Sequence, residues 1–146
     1  QTVLEHAAPD SRSRQLFKRV LTAEARAVFA GRIVVREAAQ QTDAFQLNSN
    51  LLLGSGSAVS KPQLEIAADD VRCSHGATVS QIDEDQLFYL RSRGIPPETA
   101  RVMLANGFFA EPITSLADLE LRAAVGVLVA GALGERLMQA GPGASG

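Results

Sequence analysis

Cysteine and histidine stand two positions apart in residues 71–79, the part of the sequence whose residue types best suit chemistry. Cys73 is the single cysteine of the 146-residue chain, and His75 is one of its two histidines. On a β-strand their side chains would point to the same face, with Cα atoms ~6.7 Å apart. Thiolate and imidazole both bind zinc or iron, and a thiolate also accepts sulfur. The spacing therefore predicts a candidate metal or sulfur site.

Two side chains do not complete such a site, because a tetrahedral metal needs about four ligands. A metal or cluster at Cys73 and His75 would need groups from another surface, which points to a subunit interface. A structural interpretation stays open, because Val71, Ala77 and Val79 share this face and make it apolar. A buried cysteine beside a hydrogen-bonded histidine would give the same pattern.

Other motifs give little support for an active site within the chain. The pair Asp69-Asp70 could suggest glycoside hydrolysis, but neighbouring residues on a strand face opposite ways, so a polar turn is the preferred interpretation. Residues 54–57 are glycine-rich, yet they lack the lysine of a phosphate loop. None of these motifs therefore predicts an active site.

The first eighty residues have the pattern of short β-strands separated by polar turns. Predicted strands cover residues 15–21, 27–35, 51–53, 63–66 and 77–79, and predicted turns lie at 9–10, 42–43, 54–57, 61–62 and 69–70. A short helix could form at residues 36–41. This pattern alone leaves a sandwich, a barrel and a parallel β-helix open.

From about residue 82 the pattern becomes helical. Asp83 predicts an N-cap for the first helix, and Gly94 predicts its C-terminal stop. The second helix is expected over residues 98–109, with Pro112 ending it. We thus predict two domains, a β domain over 1–81 and a helical domain over 82–146.

A third helix is expected over residues 116–138, with Ser115 as its N-cap. Its apolar run, 123–133, is shorter than the ~20 residues of a membrane span and predicts a buried helix in a soluble protein. The last residues, 141–146, are rich in glycine and predict a flexible tail.

Composition excludes some broad classes of function. The net charge is −2, with acids and bases mixed along the chain, which argues against a nucleic-acid binder or a protein drawn to acidic membranes. One cysteine cannot form an intramolecular disulfide, so a reducing compartment such as the cytoplasm is expected.

Several segments of the sequence resemble the SufB/SufD family of iron–sulfur cluster assembly scaffolds. The main ones are residues 60–66, 68–79 and 87–95, and shorter ones at 13–16, 26–29 and 48–52 precede them in the same order. The segment Cys73-Ser-His-Gly-Ala-Thr78 is similar to the D-type member. The resemblance implies a mainly β fold with α: the C-terminal part of a right-handed parallel β-helix, followed by a small C-terminal helical domain.

The resemblance also implies a non-catalytic scaffold subunit, with particular partners and site residues. The chain would pair with a SufB-type paralogue through the β-helix and dock a SufC-type ATPase through its helices. A transient iron–sulfur cluster would form where the paralogues meet, with His75 and Cys73 as tentative metal ligands and no cofactor bound stably by the chain alone. The residues expected at the ATPase-docking surface are Phe88, Tyr89, Arg91, Arg93 and Gly94.

Some expectations remain open beside this interpretation. An isolated chain could form a homodimer, and a chain from a photosynthetic eukaryote would work in the plastid stroma. The alternatives are a carbohydrate-active β-helix enzyme and a purely structural homo-oligomer. Spaced acids converging in a groove would favour the enzyme, and assembly without other proteins would favour the homo-oligomer.

Overall fold

The computed structural model describes residues 1–139, so the predicted tail at 141–146 lies outside the described residues. Strands precede helices, which confirms a mainly β chain with α-helices after it. The strands are β1 (Thr2–His6), β2 (Arg12–Leu21), β3 (Arg26–Val35), β4 (Asp43–Leu52), β5 (Ser57–Ile66) and β6 (Arg72–Gln81). The helices are α1 (Glu84–Ser92), α2 (Pro97–Thr114) and α3 (Leu119–Gln139).

The strands alternate between two sheets along the chain. One sheet has the order β1-β3-β5, and the other has the order β2-β4-β6. In the first sheet both pairs are parallel, and β3 and β5 keep one register, with Arg26 opposite Ser57 and Val35 opposite Ile66. Each strand therefore pairs with a strand about thirty residues away, which leaves room for the crossover connection that parallel pairing needs.

In the second sheet β2 and β4 also keep a constant offset. The N–H of Asp43 donates to the carbonyl of Ser11, and the N–H of Leu53 donates to the carbonyl of Leu21. Because the two bonds span equal sequence separations at opposite ends of the strands, β2 and β4 run in the same direction.

Contacts between residues group the described chain into two compact units. The first contains residues 1–19, 26–50 and 57–79, and the second contains residues 20–25, 51–56 and those from 80 onward. The last strand ends at Gln81 and the first helix begins at Glu84. The division into a domain over 1–81 and another over 82–146 stays a prediction.

The core of the first unit comes from side chains that alternate along the strands. On β3 the buried and less buried positions alternate from Phe29 to Val35, as expected for a strand with one face inward. The residues of this core cluster are Ile33, Val35, Ala39, Ala44 and Ala68, against which Leu64, Val71 and Cys73 pack.

The inner face of β4 is polar as well as buried. Gln46 and Asn48 are both fully buried; Gln46 Nε2 donates to Gln15 Oε1 at 2.8 Å, and Asn48 Nδ2 donates to Ser60 Oγ. These hydrogen bonds let amides occupy interior positions. The sequence predicted a strand only at residues 51–53, which overlaps the last two residues of β4, because the preceding residues are too polar to indicate a core strand.

Two sequence-based assignments in the first unit are wrong. Residues 36–41 form turns instead of a short helix, with Gln41 in the left-handed region at a φ of 59°. Lys61 and Pro62 lie inside β5 instead of a turn. Pro62 is tolerated there because β5 is an edge strand of its sheet within the described residues.

The observed ends of α1 agree with those predicted from the sequence, whereas the end of α2 does not. Asp83 caps α1, since its side chain accepts from the N–H groups of Asp85 and Gln86, and Gly94 has a φ of 82°, so both predictions are confirmed. Pro112 does not end α2, which continues to Thr114.

The cap of the third helix was assigned to the wrong residue. Asp118 Oδ1 accepts from the N–H groups of Glu120 and Leu121, at 2.8 and 3.0 Å. Ser115 follows the end of α2, and its hydroxyl donates to the carbonyl of Pro112 at 2.8 Å. Ser115 therefore finishes one helix, and Asp118 starts the next.

The second unit has its own apolar core. Its buried residues are Leu51, Ala105, Leu133 and Leu137, with Val20, Leu53, Ile82, Val102, Phe108, Phe109 and Val129 packed around them. Ala105, Val102 and the two phenylalanines are the apolar positions at helical spacing in α2. The second helix thus buries the face that its sequence predicts.

The prediction that residues 123–133 form a buried helix is wrong for one side of α3. Val127 and Leu128 are 73% and 71% exposed, while Leu133 is buried. Within residues 1–139, the structure contains no helix long and apolar enough to cross a membrane.

Gly31 offers a test of the packing between β3 and the buried amides. A Cβ at Gly31 would lie 2.6 Å from Gln46 Oε1 and 2.6 Å from the Phe29 ring. We therefore expect Gly31→Ala to lower the free energy of unfolding by about 1–3 kcal/mol through overpacking, measured by urea denaturation.

Gly107→Ala is the matched control, because nothing lies within 4 Å of a Cβ built at that position in α2. Removing a helical glycine should stabilise by up to about 1 kcal/mol. A Gly31→Ala protein as stable as the unsubstituted chain would contradict the packing described here.

Candidate functional site

Cys73 and His75 both lie on β6, which has a neighbouring strand on one side only within the described residues. The N–H of Arg72 donates to the carbonyl of Thr42 on the β4 side. Because alternate residues of a strand direct their backbone groups to the same side, the N–H and C=O of Cys73 and His75 point to the open edge. The pair thus lies where the sheet can accept another strand.

The thiol of Cys73 is half-buried and packs against the core of the first unit. Burial raises its pKa, a backbone hydrogen bond from Ala44 opposes that effect, and the carboxylate of Asp43 raises the pKa further. The thiol form is therefore favoured over the thiolate in this protein. Binding a metal or accepting sulfur would require removal of that proton.

The imidazole of His75 is exposed, unlike the thiol two residues earlier. The alternation of buried and exposed positions fades after Cys73, and the end of β6 is open on both faces. Among residues 1–139, His, Cys, Asp and Glu side chains do not gather in groups of three or more that could hold a metal ion. The role of Cys73 and His75 as ligands stays a prediction.

A thiolate sulfur and an imidazole nitrogen both bind iron or zinc. Two donors from one strand supply only part of the about four ligands of a tetrahedral metal. This donor set fits a site shared between two chains better than a closed metal centre.

The residues predicted for ATPase docking lie on α1 and directly after it. Phe88 and Tyr89 are 72% and 56% exposed, and the guanidinium of Arg93 lies 4.9 Å from the centre of the Tyr89 ring. Arg91 is also exposed, and Gly94 follows. All five residues are therefore exposed, and Arg93 contacts Tyr89; their role in docking stays a prediction.

A polar cleft of about 320 Å³ in the first unit was not predicted from the sequence. Its lining combines acids and arginines from three separate turns and strand starts, which are Asp10, Arg12, Asp43, Asp70 and Arg72. The turn at residues 69–70 is confirmed. These side chains come together because paired strands are about thirty residues apart in sequence. The sequence pattern did not predict that pairing.

Comparison with known proteins identifies one family for this chain. The family model described as "SUF system FeS cluster assembly, SufBD core domain" matches residues 1–108. The "Iron-sulfur cluster assembly protein SufD" of Escherichia coli is 50% identical over 123 residues, covering 84% of this chain and 29% of that protein. "Protein ABCI7, chloroplastic" of Arabidopsis thaliana is 47% identical over 122 residues, covering 82% of this chain and 25% of that protein.

A cyanobacterial relative gives the same result. An iron–sulfur cluster assembly SufBD family protein of Synechocystis is 46% identical over 114 residues, covering 74% of this chain and 25% of that protein. The chain therefore spans between a quarter and a third of the length of these relatives. The family match ends at residue 108, so α3 lies beyond it.

The environment of Cys73 predicts how its alkylation depends on pH. Since burial raises the pKa of the thiol, the rate of reaction with iodoacetamide should reach its half-maximum at a higher pH than for an exposed cysteine, whose pKa is ~8.5. The rate can be followed by mass spectrometry across a pH series.

The control moves the thiol by one position to the exposed face, in the double variant C73S/S74C. Its half-maximum should return to the range of an exposed cysteine. Equal midpoints for the two proteins would show that burial does not control the thiol.

Proposed function

Because the chain belongs to the SufBD core family of iron–sulfur cluster assembly proteins, we propose that it is part of a D-type scaffold subunit on which a nascent cluster forms. The observation that carries this proposal is the pair Cys73 and His75 on the open edge of β6. A scaffold of this kind has no catalytic turnover of its own, and the cluster passes through it as cargo.

The two sheets support a solenoid as the scaffold's architecture. Successive strands alternate between the sheets, and paired strands lie about thirty residues apart. Each pair of strands would then form one coil of a parallel β-helix, with the core of the first unit in its lumen. Parallel crossovers are right-handed in nearly all proteins, so the coils wind in that sense.

Pairing with a SufB-type paralogue would use the open edge of β6. Four residues there direct their backbone N–H and C=O groups away from β4, and these are Cys73, His75, Ala77 and Val79. A strand of the paralogue could satisfy those groups by hydrogen bonding. Its side chains would then lie beside the thiol and the imidazole and could supply the missing cluster ligands.

The two donors would take different parts in cluster formation. His75 is exposed and could bind iron as the paralogue arrives. Cys73 is half-buried with a raised pKa, so its thiolate would form mainly when a metal displaces the proton. Covering the edge also excludes water, which strengthens the electrostatic attraction between the donors and iron.

Docking of a SufC-type ATPase would use α1. Its exposed aromatic residues, Phe88 and Tyr89, would provide apolar contact area, and Arg91 and Arg93 would provide charge. Nucleotide hydrolysis would belong to that partner. The names of the relatives fit a bacterial cytoplasm or a plastid as the place of action.

A substitution at His75 tests the cluster site. We expect His75→Ala to reduce the yield of assembled clusters at least about tenfold, because a site already dependent on two chains loses a ligand. Iron and sulfide would be measured in the purified complex, and size-exclusion chromatography would show that the complex still assembles.

Ser74→Ala is the matched control, since Ser74 lies on the same strand and faces the other way. Its cluster yield should stay normal. A normal yield from His75→Ala in an assembled complex would remove His75 from the mechanism.

A substitution at Phe88 tests the docking surface. Phe88→Ala should weaken ATPase binding by about tenfold or more, as expected for an exposed aromatic residue at the centre of an interface. Isothermal titration calorimetry with the purified ATPase would measure the dissociation constant.

Val28→Ala serves as the control because Val28 is 67% exposed on β3, away from α1 in sequence. Binding should be unchanged by that substitution. Unchanged binding by Phe88→Ala would place the docking surface elsewhere.

A further inference from the structure

A buried amide on β4 has an oxygen whose hydrogen-bonding capacity is unused. Gln46 is 0% exposed, and its Nε2 donates to Gln15 Oε1 at 2.8 Å. Its carbonyl oxygen, Oε1, has no hydrogen-bond partner among residues 1–139. A buried acceptor without a partner costs stability, and most such atoms in proteins are paired. We therefore looked for a donor on the neighbouring strands.

The residue opposite Gln46 on β6 is His75. The N–H of Arg72 donates to the carbonyl of Thr42. In a parallel pair this bond sets Asp43 opposite Arg72. Three residues further along both strands, Gln46 lies opposite His75. Neighbouring strands are ~4.8 Å apart, so two such side chains can touch if they leave the sheet on the same face.

The core of the first unit shows that both side chains leave on the inner face. Ala44 is buried in that core, and Cys73 packs against it. Alternate residues of a strand share a face. Gln46, two residues after Ala44, and His75, two residues after Cys73, therefore face the same way. Gln15, Gln46 and His75 form one row across the second sheet.

The amide of Gln46 is held in place from two sides. Its bond to Gln15 fixes the nitrogen end. On the other strand that it approaches, a Cβ built at Gly31 would lie 2.6 Å from Oε1, so the oxygen occupies space that a glycine leaves. His75 is exposed, and the side chain of an exposed residue changes rotamer readily. The fixed oxygen can therefore accept from the imidazole once the ring turns towards it.

We propose that Gln46 is a positioning residue for His75, and this inference rests on the proposed role of His75 as a cluster ligand. Gln46 Oε1 accepts a hydrogen bond from the Nδ1–H of the imidazole. Nδ1 is the ring nitrogen nearer to the backbone, and so nearer to β4. Nε2, at the far end of the ring, then keeps its lone pair for iron.

This arrangement follows a general rule of metal-binding histidines. When one ring nitrogen binds a metal, the other normally donates its N–H to a carbonyl or carboxylate oxygen. That bond sets which tautomer is present and how the ring is oriented. Gln46 does not touch the metal in this scheme and acts only through His75.

The tautomer of His75 tests the proposal without any metal. Long-range proton–nitrogen NMR correlations of the full chain, labelled with ¹⁵N, show which ring nitrogen carries the proton. At about pH 8.5 an ordinary imidazole is neutral. The chain has two histidines, so the signals that disappear in His75→Ala belong to His75. We expect His75 in the Nδ1–H form.

Gln46→Met should remove that preference. Methionine is similar in length to glutamine, and its sulfur is only a weak acceptor. His75 should then show a mixture of the two tautomers. Gln46→Glu should restore the Nδ1–H form, because a carboxylate accepts and Gln15 can turn its own amide to donate to it.

Asn48→Leu is the matched control. Asn48 is also a fully buried amide of β4, and its Oδ1 also lacks a partner among residues 1–139. By the same register its neighbour on β6 is Ala77, whose side chain has no donor. The variant should leave the tautomer of His75 unchanged, and circular dichroism would show that each variant is folded.

Cluster yield in the purified complex gives a second measurement. Gln46→Met should lower the iron and sulfide content by about tenfold, the usual size of the effect when the partner of a metal-binding histidine is lost. Asn48→Leu should leave that content unchanged. Size-exclusion chromatography would show that the complex still assembles.

Two NMR results would overturn the proposal. His75 could be in the Nε2–H form in the unsubstituted chain, a result that needs no variant to fold. Alternatively, Gln46→Met and Asn48→Leu could change the tautomer alike. Either result would leave His75 as a cluster ligand, whereas a normal cluster yield from His75→Ala would contradict the proposed function itself.

Discussion

Parallel strand pairing at a separation of about thirty residues is the constraint on which the rest of this structure depends. A hairpin cannot connect two parallel neighbours. The chain therefore passes through the other sheet before it returns to form the next strand of the first. The interior then forms from residues far apart in sequence, such as Ile33, Ala44 and Ala68. A parallel sheet also has open edges unless it closes, and β6 is such an edge within the described residues.

The sequence predicted the strands best where the core is apolar. Residues 27–35 were recognised because β3 is rich in valine and isoleucine. Most of β4 was missed, because Gln46 and Asn48 look like loop residues until their hydrogen bonds to Gln15 and Ser60 are known. Those partners come from other strands, and local pattern carries no information about them.

The helix ends show a similar division between local and tertiary information. The caps of α1 depend on Asp83 and Gly94 alone and were predicted correctly. Pro112 was expected to end α2, yet the helix continues for two more residues, to Thr114, and Ser115 is its C-cap. For Cys73 and His75 the sequence predicted a shared strand, but not that one side chain would be half-buried and the other exposed. That difference follows the burial along β6, where the side chains become more exposed after Cys73.

Pro62 gives the other edge strand a different character. The N–H of Ala67 donates to Val35 on β3, so by alternation the backbone nitrogen of Pro62 points away from β3. The outer side of β5 therefore lacks one donor in its middle, and a foreign strand laid along it would leave a carbonyl unsatisfied. A proline at this position therefore disfavours edge-to-edge pairing of β5 with a strand of another chain, the kind of contact that leads to aggregation.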